Sequence, residues 1–345
     1  NFEVIVCDDS TDETKDIVEE WRNHPLIKIS HRENRVGFKG AALKQALTLM
    51  DPRTEFILVF DADFLPFPDT ITQFLKYFQV SAGGNLQPTT YNQQPIAAVQ
   101  GYQWHVLNKS ENWITRGVRT EYAGSYVVER SGTEAYQGLK QIAGSVFMVR
   151  ADILKNPSYS WGSSITEDFE LTLKLYRDGY KVVYTPYVQA PSECVSTLKR
   201  LIRQRMRWAE GHSHNIRKLF KQLMFGRYVE DEIVNEENKF LISNYPNYSK
   251  QAPNPNDQNQ TNLNINTSVG TSVIGDSLGQ LGIRSIRNSN KKNWIPSRLT
   301  LSEKLEFLYL SPYYLQSAFF LLGTFSWFIS ETVFQVRLPF WTAIW

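Results

Sequence analysis

The stretch Glu55-Phe-Ile-Leu-Val-Phe-Asp-Ala-Asp-Phe64 decides how this chain is read. Phe56 to Phe60 is an unbroken apolar run, which predicts a strand covered on both faces. Two acids one residue apart, Asp61 and Asp63, stand where that strand ends. In open α/β sheets, ligands bind beyond the carboxyl ends of the strands. A second apolar run, Phe2 to Cys7, is followed in the same way by Asp8 and Asp9. If the two strands lie parallel in one sheet, these acids meet along one edge. Carboxylates that converge without an obvious basic partner suit a hard cation such as Mg2+ or Mn2+, which brings phosphate oxygens with it. The plainer alternative is that the acids cap the helices that follow, as Asp9 or Ser10 can do after the first strand.

Outward from these runs, residues 2–185 alternate between apolar strands and amphipathic helical stretches, the pattern of an α/β domain with a mostly parallel sheet. Ser10 and Glu13 are spaced as a capping box, with Ile17, Val18 and Trp21 on one helical face beyond them. Leu26–Ile29 reads as a short strand. Leu43, Ala46, Leu47 and Met50 mark one helix, and Ile71, Phe74, Leu75 and Phe78 the next. An apolar fraction of 42% suits a packed globular body, and a net charge of +2 gives no strong field, so overall charge does not point to a nucleic-acid partner. Two cysteines, Cys7 and Cys194, make neither a disulfide framework nor a zinc set. The chain starts without methionine on a strand-like run and stops within an apolar stretch, which reads as a fragment cut at both ends.

The second half changes character. From Leu198 to about Gly226 the chain is basic and helical, whereas residues 235–293 are rich in Asn, Gln, Ser and Pro. Such a segment buries too little apolar surface to offset its ordering entropy, so a loosely attached insertion is expected there. Phe307 to Ser330 carries no charged residue. As one helix it would extend roughly 36 Å at about 1.5 Å per residue, enough to cross the roughly 30 Å hydrocarbon layer, and another apolar segment starts near Leu338. The alternative is a buried core helix. The organisation expected is therefore an α/β domain over 1–197, interfacial helices over 198–234, the insertion over 235–293, and a membrane-interface and transmembrane segment over 294–345.

Three further stretches carry chemistry. His31–Leu43 (HRENRVGFKGAAL) places Gly37 and Gly40 for close backbone approach, and Arg35 and Lys39 to neutralise phosphate charge, although it does not match the P-loop pattern. A solvated loop is the alternative. Ser163–Tyr180 reads as a helix with Ser164 and Glu167 as its capping box and Gly179 as its stop. Asp168 falls in the first turn of that helix, where a carboxylate at the mouth of a site can act as a general base or can simply favour the helix dipole. In Arg200–His212 (RLIRQRMRWAEGH), the residues Gln204, Arg207, Trp208 and Gly211 share one face, presenting an amide, a guanidinium that can clamp a pyrophosphate and an indole that can stack on a sugar. Lys199, Arg200, Arg203 and Arg205 suit an anionic membrane surface, or alternatively nucleic acid.

Taken together, CDDSTDE (7–13), the DAD of LVFDADF (58–64), the TED of SITEDFE (164–170) and QRMRW (204–208) resemble, in order and separation, the signatures of the processive branch of glycosyltransferase family 2. VIVCDDSTDET and RENRVGFKGAALKQAL are most similar to the cellulose synthase-like glucomannan and mannan synthases. The resemblance implies a GT-A (Rossmann-like) fold followed by interfacial and transmembrane helices, in an integral membrane protein whose catalytic domain faces the cytosol. It implies a metal-dependent, inverting transfer of hexose from UDP-glucose or GDP-mannose to a growing β-glycan. By motif, Asp9 would meet the nucleotide base, Lys39 the donor phosphates, Asp61 the donor and the metal, and Asp63 the metal, with Mg2+ or Mn2+ bound. Asp168 would be the base, and Gln204 and Arg207 would hold the pyrophosphate. Trp208, Gly144, Ser145 and Glu167 would line the acceptor path. The family's first strand and most of its membrane channel have no match here, and neither has the 235–293 insertion. Two other readings stay open: a non-processive enzyme loading one sugar onto a lipid carrier, and a membrane-tethered binding protein without enzymatic activity.

Overall fold

Strand β1 (Val4–Asp8) pairs in parallel with β2 (Ile27–His31), Val4 opposite Ile27 and Asp8 opposite His31. Helix α1 (Thr14–Glu19) connects the two strands, and α2 (Phe38–Leu47) follows β2. A computed structural model describes residues 1–33, 35–78, 90–91, 94–162, 164–230, 292–311 and 313–335. The chain divides into two compact units, Asn1–Gly226 with Pro296–Trp345, and Arg227–Ile295.

In the first unit the main sheet is built around β5 (Gln94–His105). On one side of β5 lies β6 (Phe147–Arg150), then β3 (Phe56–Val59); on the other are β4 (Thr90–Tyr91) and β7 (Lys181–Ser192). β3/β6, β6/β5 and β5/β4 are antiparallel, whereas β5/β7 is parallel. The sheet is thus mixed, not mostly parallel, because β6 returns directly beside β3 without a right-handed crossover. Its core joins Phe64, Phe74 and Phe78 to Ile96, Val99, Val146, Met148, Val183 and Val188, all buried. β1 is not covered on both faces among the described residues: Phe2 is 57% and Val4 42% exposed.

The helices that carry the site follow. α3 (Thr70–Leu75) packs Phe74 into the core. α4 (Trp113–Ala123) runs into a π-helical segment, Gly124–Arg130, and then into α5 (Ser131–Ala135). Short α6 (Ala151–Lys155) follows β6. α7 (Glu167–Arg177) ends in a Schellman motif, with Tyr180 N–H on Leu175 O at 3.0 Å, Gly179 N–H on Tyr176 O at 3.0 Å and Gly179 at φ +87°, as its sequence predicts. α8 (Leu198–Met224) is the longest helix described and is capped by Thr197.

Neither capping box expected near a helix start forms. α1 starts at Thr14, and Ser10 N–H donates instead to Asp8 Oδ1 at 3.0 Å. α7 is preceded by Thr166: Ser164 Oγ donates to Asn215 Oδ1 at 3.1 Å and accepts from Thr166 N–H at 3.3 Å, one residue short of Glu167.

The second unit pairs β8 (Gly226–Glu230) with β9 (Lys292–Pro296), and Tyr228 meets Trp294 edge-on at 4.8 Å. Apart from its last two residues, the expected 235–293 insertion lies outside the described residues, as does the apolar segment from Leu338.

The run Phe307–Ser330 is not one helix. It is shared between α9 (Leu301–Leu310) and α10 (Tyr313–Thr332). α9 is fastened to the α/β body: Glu303, 5% exposed, pairs with Lys181, Glu306 Oε2 accepts from Leu139 N–H at 2.8 Å, and Phe307 is buried. Among the described residues no helix is long and apolar enough to cross a membrane.

Candidate active site

The loop before β6 shapes the site. Gly144 has φ +75° and Val146 φ +55°, a left-handed geometry that glycine takes readily and a β-branched residue takes only under constraint. Two amides of β5 supply that constraint. Gln100 Oε1 accepts from Ala143 N–H at 2.7 Å, and its Nε2 faces the carbonyls of Gly101, Ser145 and Val146 at 2.9, 2.9 and 3.1 Å. Gln103 Nε2 donates to Ser145 O at 2.9 Å and also to Ala143 O. Gln100 is fully buried, so its hydrogen bonds replace those water would make to this irregular backbone.

The loop in turn positions the residues facing it. Asp61 N–H donates to Ser145 Oγ at 2.9 Å, fixing the turn that follows β3. Lys39, in the first turn of α2, pairs with the Asp61 carboxylate and donates to Gly144 O at 2.6 Å. Gly40 lets α2 come close to the start of α7: a Cβ there would lie 2.4 Å from Gly162 O and 3.1 Å from Glu167 Cβ. Gly211 does the same for α8, where a Cβ would lie 2.5 Å from Thr166 Oγ1. Four residues on, fully buried Asn215 donates to both Thr166 O and Thr166 Oγ1 at 3.0 Å. The segment Thr166-Glu167-Asp168 is therefore gripped from both sides, and Asp168 Oδ1 accepts from Phe169 N–H at 2.8 Å.

A cavity of about 840 Å³ opens among these elements. Its wall carries Lys39, Asp61, Asp63, Gly144, Glu167, Asp168, Gln204, Arg207 and Trp208, nine residues singled out from the sequence and now brought together from separate elements. Trp208 is covered on one side by Arg205, whose guanidinium carbon is 4.1 Å from the indole centroid and which pairs with Glu121 at 2.8 Å. Two expected residues are placed otherwise. Ser145 is fully buried behind the wall, holding Asp61, and does not line the cavity. Asp9 is not on the wall; it is engaged by both Nε (2.7 Å) and Nη2 of Arg32, while Arg35 donates to its carbonyl at 3.2 Å.

The charges reinforce one another. Burial pushes the Asp168 carboxyl above its ordinary range, opposed by the Phe169 N–H and Lys39. Burial and the neighbouring Asp168 raise Glu167 as well. Asp63 is lifted by burial and by the charge of Asp61. For Lys39, burial works against the ammonium, but Asp61 and Glu167 outweigh it and the pKa rises above its ordinary value. A permanent cation thus sits among four carboxyl groups, three of them pushed towards protonation. That arrangement accommodates additional positive charge and an activated oxygen nucleophile.

Asp61 and Asp63 fit a divalent cation in part. They are two hard oxygen donors on one wall, and among the described residues no group of three or more His, Cys, Asp or Glu is placed to hold a metal. A cation that fills its remaining positions with phosphate oxygens and water suits that donor set; one needing a full protein cage does not.

Gln100, Gln103 and Asn215 escape sequence reasoning. Each sits inside a strand or helix whose pattern is set by apolar neighbours, and each serves backbone far away in sequence. The one available signal is position: Asn215 extends the Gln204–Trp208–Gly211 face by one more turn.

A model of the glycosyltransferase like family 2 matches residues 2–211. The chain belongs to that family. It is 31% identical over 237 residues to glucomannan 4-beta-mannosyltransferase 2 of Arabidopsis thaliana, covering 66% of this chain and 41% of that protein. To glucomannan 4-beta-mannosyltransferase 1 of Oryza sativa subsp. japonica it is 32% identical over 238 residues, covering 66% and 42%. The chain thus spans about two fifths of the length of these curated relatives. Among solved structures, the mannosyltransferase PcManGT from Pyrobaculum calidifontis in complex with GDP-Man and Mn2+ aligns with a TM-score of 0.46 at 20% identity, over 70% of this chain and 61% of that one.

Proposed function

We propose that this chain is the catalytic part of an inverting glycosyltransferase with a GT-A fold, which transfers a hexose from a nucleotide sugar to a β-glycan acceptor. Of the two donors weighed, GDP-mannose is the one that carries the sugar named in the curated relatives' mannosyltransferase names. The observation that carries the reading is the shared cavity wall, where a half-buried carboxyl, a lysine, two strand-end carboxylates and the amide, guanidinium and indole of one helix face converge.

The roles follow from chemistry. Asp168 takes the proton of the acceptor hydroxyl, and its raised pKa makes it a stronger base than an exposed aspartate. The freed oxygen attacks the anomeric carbon as the bond to the diphosphate oxygen breaks, and the leaving group departs with the electron pair. A single displacement inverts the centre, so an α-linked donor gives a β-linked product. Lys39, Arg207 and Gln204 face the charge that develops on the diphosphate. A divalent cation held by Asp61 and Asp63 would add charge neutralisation there. Trp208 offers a stacking face to the acceptor sugar, with Gly144 and Glu167 beside it. Asp9, held by Arg32, is reserved for the nucleotide end of the donor.

Attachment to a membrane, with this domain on the cytosolic side, belongs to the same proposal. It is supported by Leu198, Ile202 and Met206, exposed along α8 beside Lys199, Arg200 and Arg203, and by exposed Leu322, Phe325 and Phe328 of α10. Pelleting with vesicles that contain anionic lipid tests this point. Loss of pelleting in a Leu198→Ser/Ile202→Ser/Met206→Ser variant is expected, and pelleting that survives it assigns attachment to another part of the chain.

The test of the enzymatic reading is sugar transfer. Labelled GDP-mannose or UDP-glucose is supplied with Mn2+ and β-linked oligosaccharide, and Asp168→Asn is expected to lower the product at least about a hundredfold.

A further inference from the structure

The cavity reaches beyond Trp208 and Asp168, and its farther part is lined by groups that the reaction as described does not use. The π-helical segment Gly124–Arg130 ends on Arg130, whose guanidinium carbon sits 4.6 Å from the centroid of the Tyr126 ring. π-helical turns are rare and are often found at functional sites. Arg130 Nη1 donates to Gln141 O at 2.7 Å, whereas its Nε is buried without a hydrogen-bond partner. Among the described residues no ion pair joins Arg130 to a carboxylate. Gln141 Nε2 lies 3.3 Å from His212 Nε2, so the amide and the imidazole meet at hydrogen-bond distance. The imidazole also packs on Phe169, the residue after the proposed base, at 4.4 Å between centroids.

The electrostatics agree with that geometry. Burial, with the charge of Arg130 adding to it, lowers His212 to about 4, so the ring is neutral at physiological pH. The wall here then presents one guanidinium, one amide and one neutral imidazole beside aromatic faces, which is the chemistry that binds an uncharged hydroxylated ring. Its position follows from the chain. Gln141, Ala143 and Gly144 all line the cavity, and Gly144 stands against Asp168. Three residues of chain reach at most roughly 10 Å, so Gln141 lies near enough to Asp168 for a short oligosaccharide to touch both.

We propose that Arg130, Gln141 and His212 form the subsite for the second sugar of the acceptor, counted from the end that receives the new residue. The subsite makes an acceptor of at least two hexoses a better substrate than a single hexose. The inference rests on the glycosyltransferase reading above.

The full chain, with labelled GDP-mannose and UDP-glucose and with Mn2+, is offered a free hexose, its β-linked disaccharide and trisaccharide, and a polyprenyl phosphate. The quantity read is the ratio of kcat/KM for the disaccharide to that for the monosaccharide. In the wild type this ratio is well above one. In Arg130→Met and His212→Leu it falls by about tenfold, the size of one lost hydrogen bond to a charged or buried group, and Arg130→Lys recovers part of the loss. Unchanged affinity for the nucleoside diphosphate shows that each variant is folded. A ratio that is the same in wild type and variants, or a preference for polyprenyl phosphate over the disaccharide, overturns the subsite while leaving a glycosyltransferase. Absence of sugar transfer and of nucleotide-sugar cleavage in the wild type with every acceptor contradicts the enzymatic reading itself.

Discussion

Gly144 stands directly against the carboxylate of Asp168: a Cβ added at Gly144 would lie 3.2 Å from Asp168 Oδ2 and 3.8 Å from Lys39 Nζ. The same residue has φ +75°, so a side chain there meets backbone strain as well as crowding. Gly144→Ala is expected to destabilise the fold by about 1–2 kcal/mol, the cost of a left-handed residue with a Cβ. It is also expected to lower transfer at least tenfold, because the carboxylate must shift. Thermal unfolding and initial rates on the same preparation check both.

Gln100 carries more of the loop than any single backbone contact does. Gln100→Ala removes the acceptor for Ala143 N–H and the donor facing three carbonyls in a fully buried position. Each buried group left unsatisfied costs about 1–3 kcal/mol, so a total loss of roughly 3 kcal/mol or more is expected. A fall in the denaturant midpoint at unchanged slope is the measurement, with Gln45→Ala, exposed on α2, as the control.

The pH profile should carry the mark of Asp168. Its pKa is raised chiefly by burial, so the competent carboxylate is lost as pH falls through a value above the ordinary aspartate range. The acidic limb of kcat/KM is therefore expected above about 3.9. Lys39 works in the opposite direction, holding the Asp168 pKa down. Lys39→Met accordingly moves the limb to higher pH in addition to weakening donor use. A limb that stays in place or moves to lower pH would separate Lys39 from the base.

Several parts of this site were legible in the sequence for identifiable reasons. Asp61 and Asp63 follow an apolar run short enough to be a strand, and Gln204, Arg207, Trp208 and Gly211 repeat at the helical period. Local periodicity was sufficient in both cases. It was not sufficient for the sheet, where β6 lies antiparallel between β3 and β5, since strand order is a long-range property. The supposed capping box at Ser164 and Glu167 failed for the same reason: Asn215, far along the chain, holds Thr166, and α7 begins only after that residue. Asp9 has the expected position after β1, but its partner Arg32 is brought to it by the parallel pairing with β2. Arg130 depends on a π-helical turn that no propensity pattern marks.

The central claim, that Asp168 activates an acceptor hydroxyl for a single displacement beside Asp61 and Asp63, is tested most directly by the configuration of the product. Labelled GDP-mannose, UDP-glucose, Mn2+ and a β-linked disaccharide are incubated with wild type, Asp63→Ala and Asp168→Asn, and the new linkage is assigned by NMR. The expected result is a β-linked product from one donor, reduced at least a hundredfold in Asp168→Asn and dependent on added cation in a manner that Asp63→Ala removes. An α-linked product, or transfer that persists in Asp168→Asn, would contradict it.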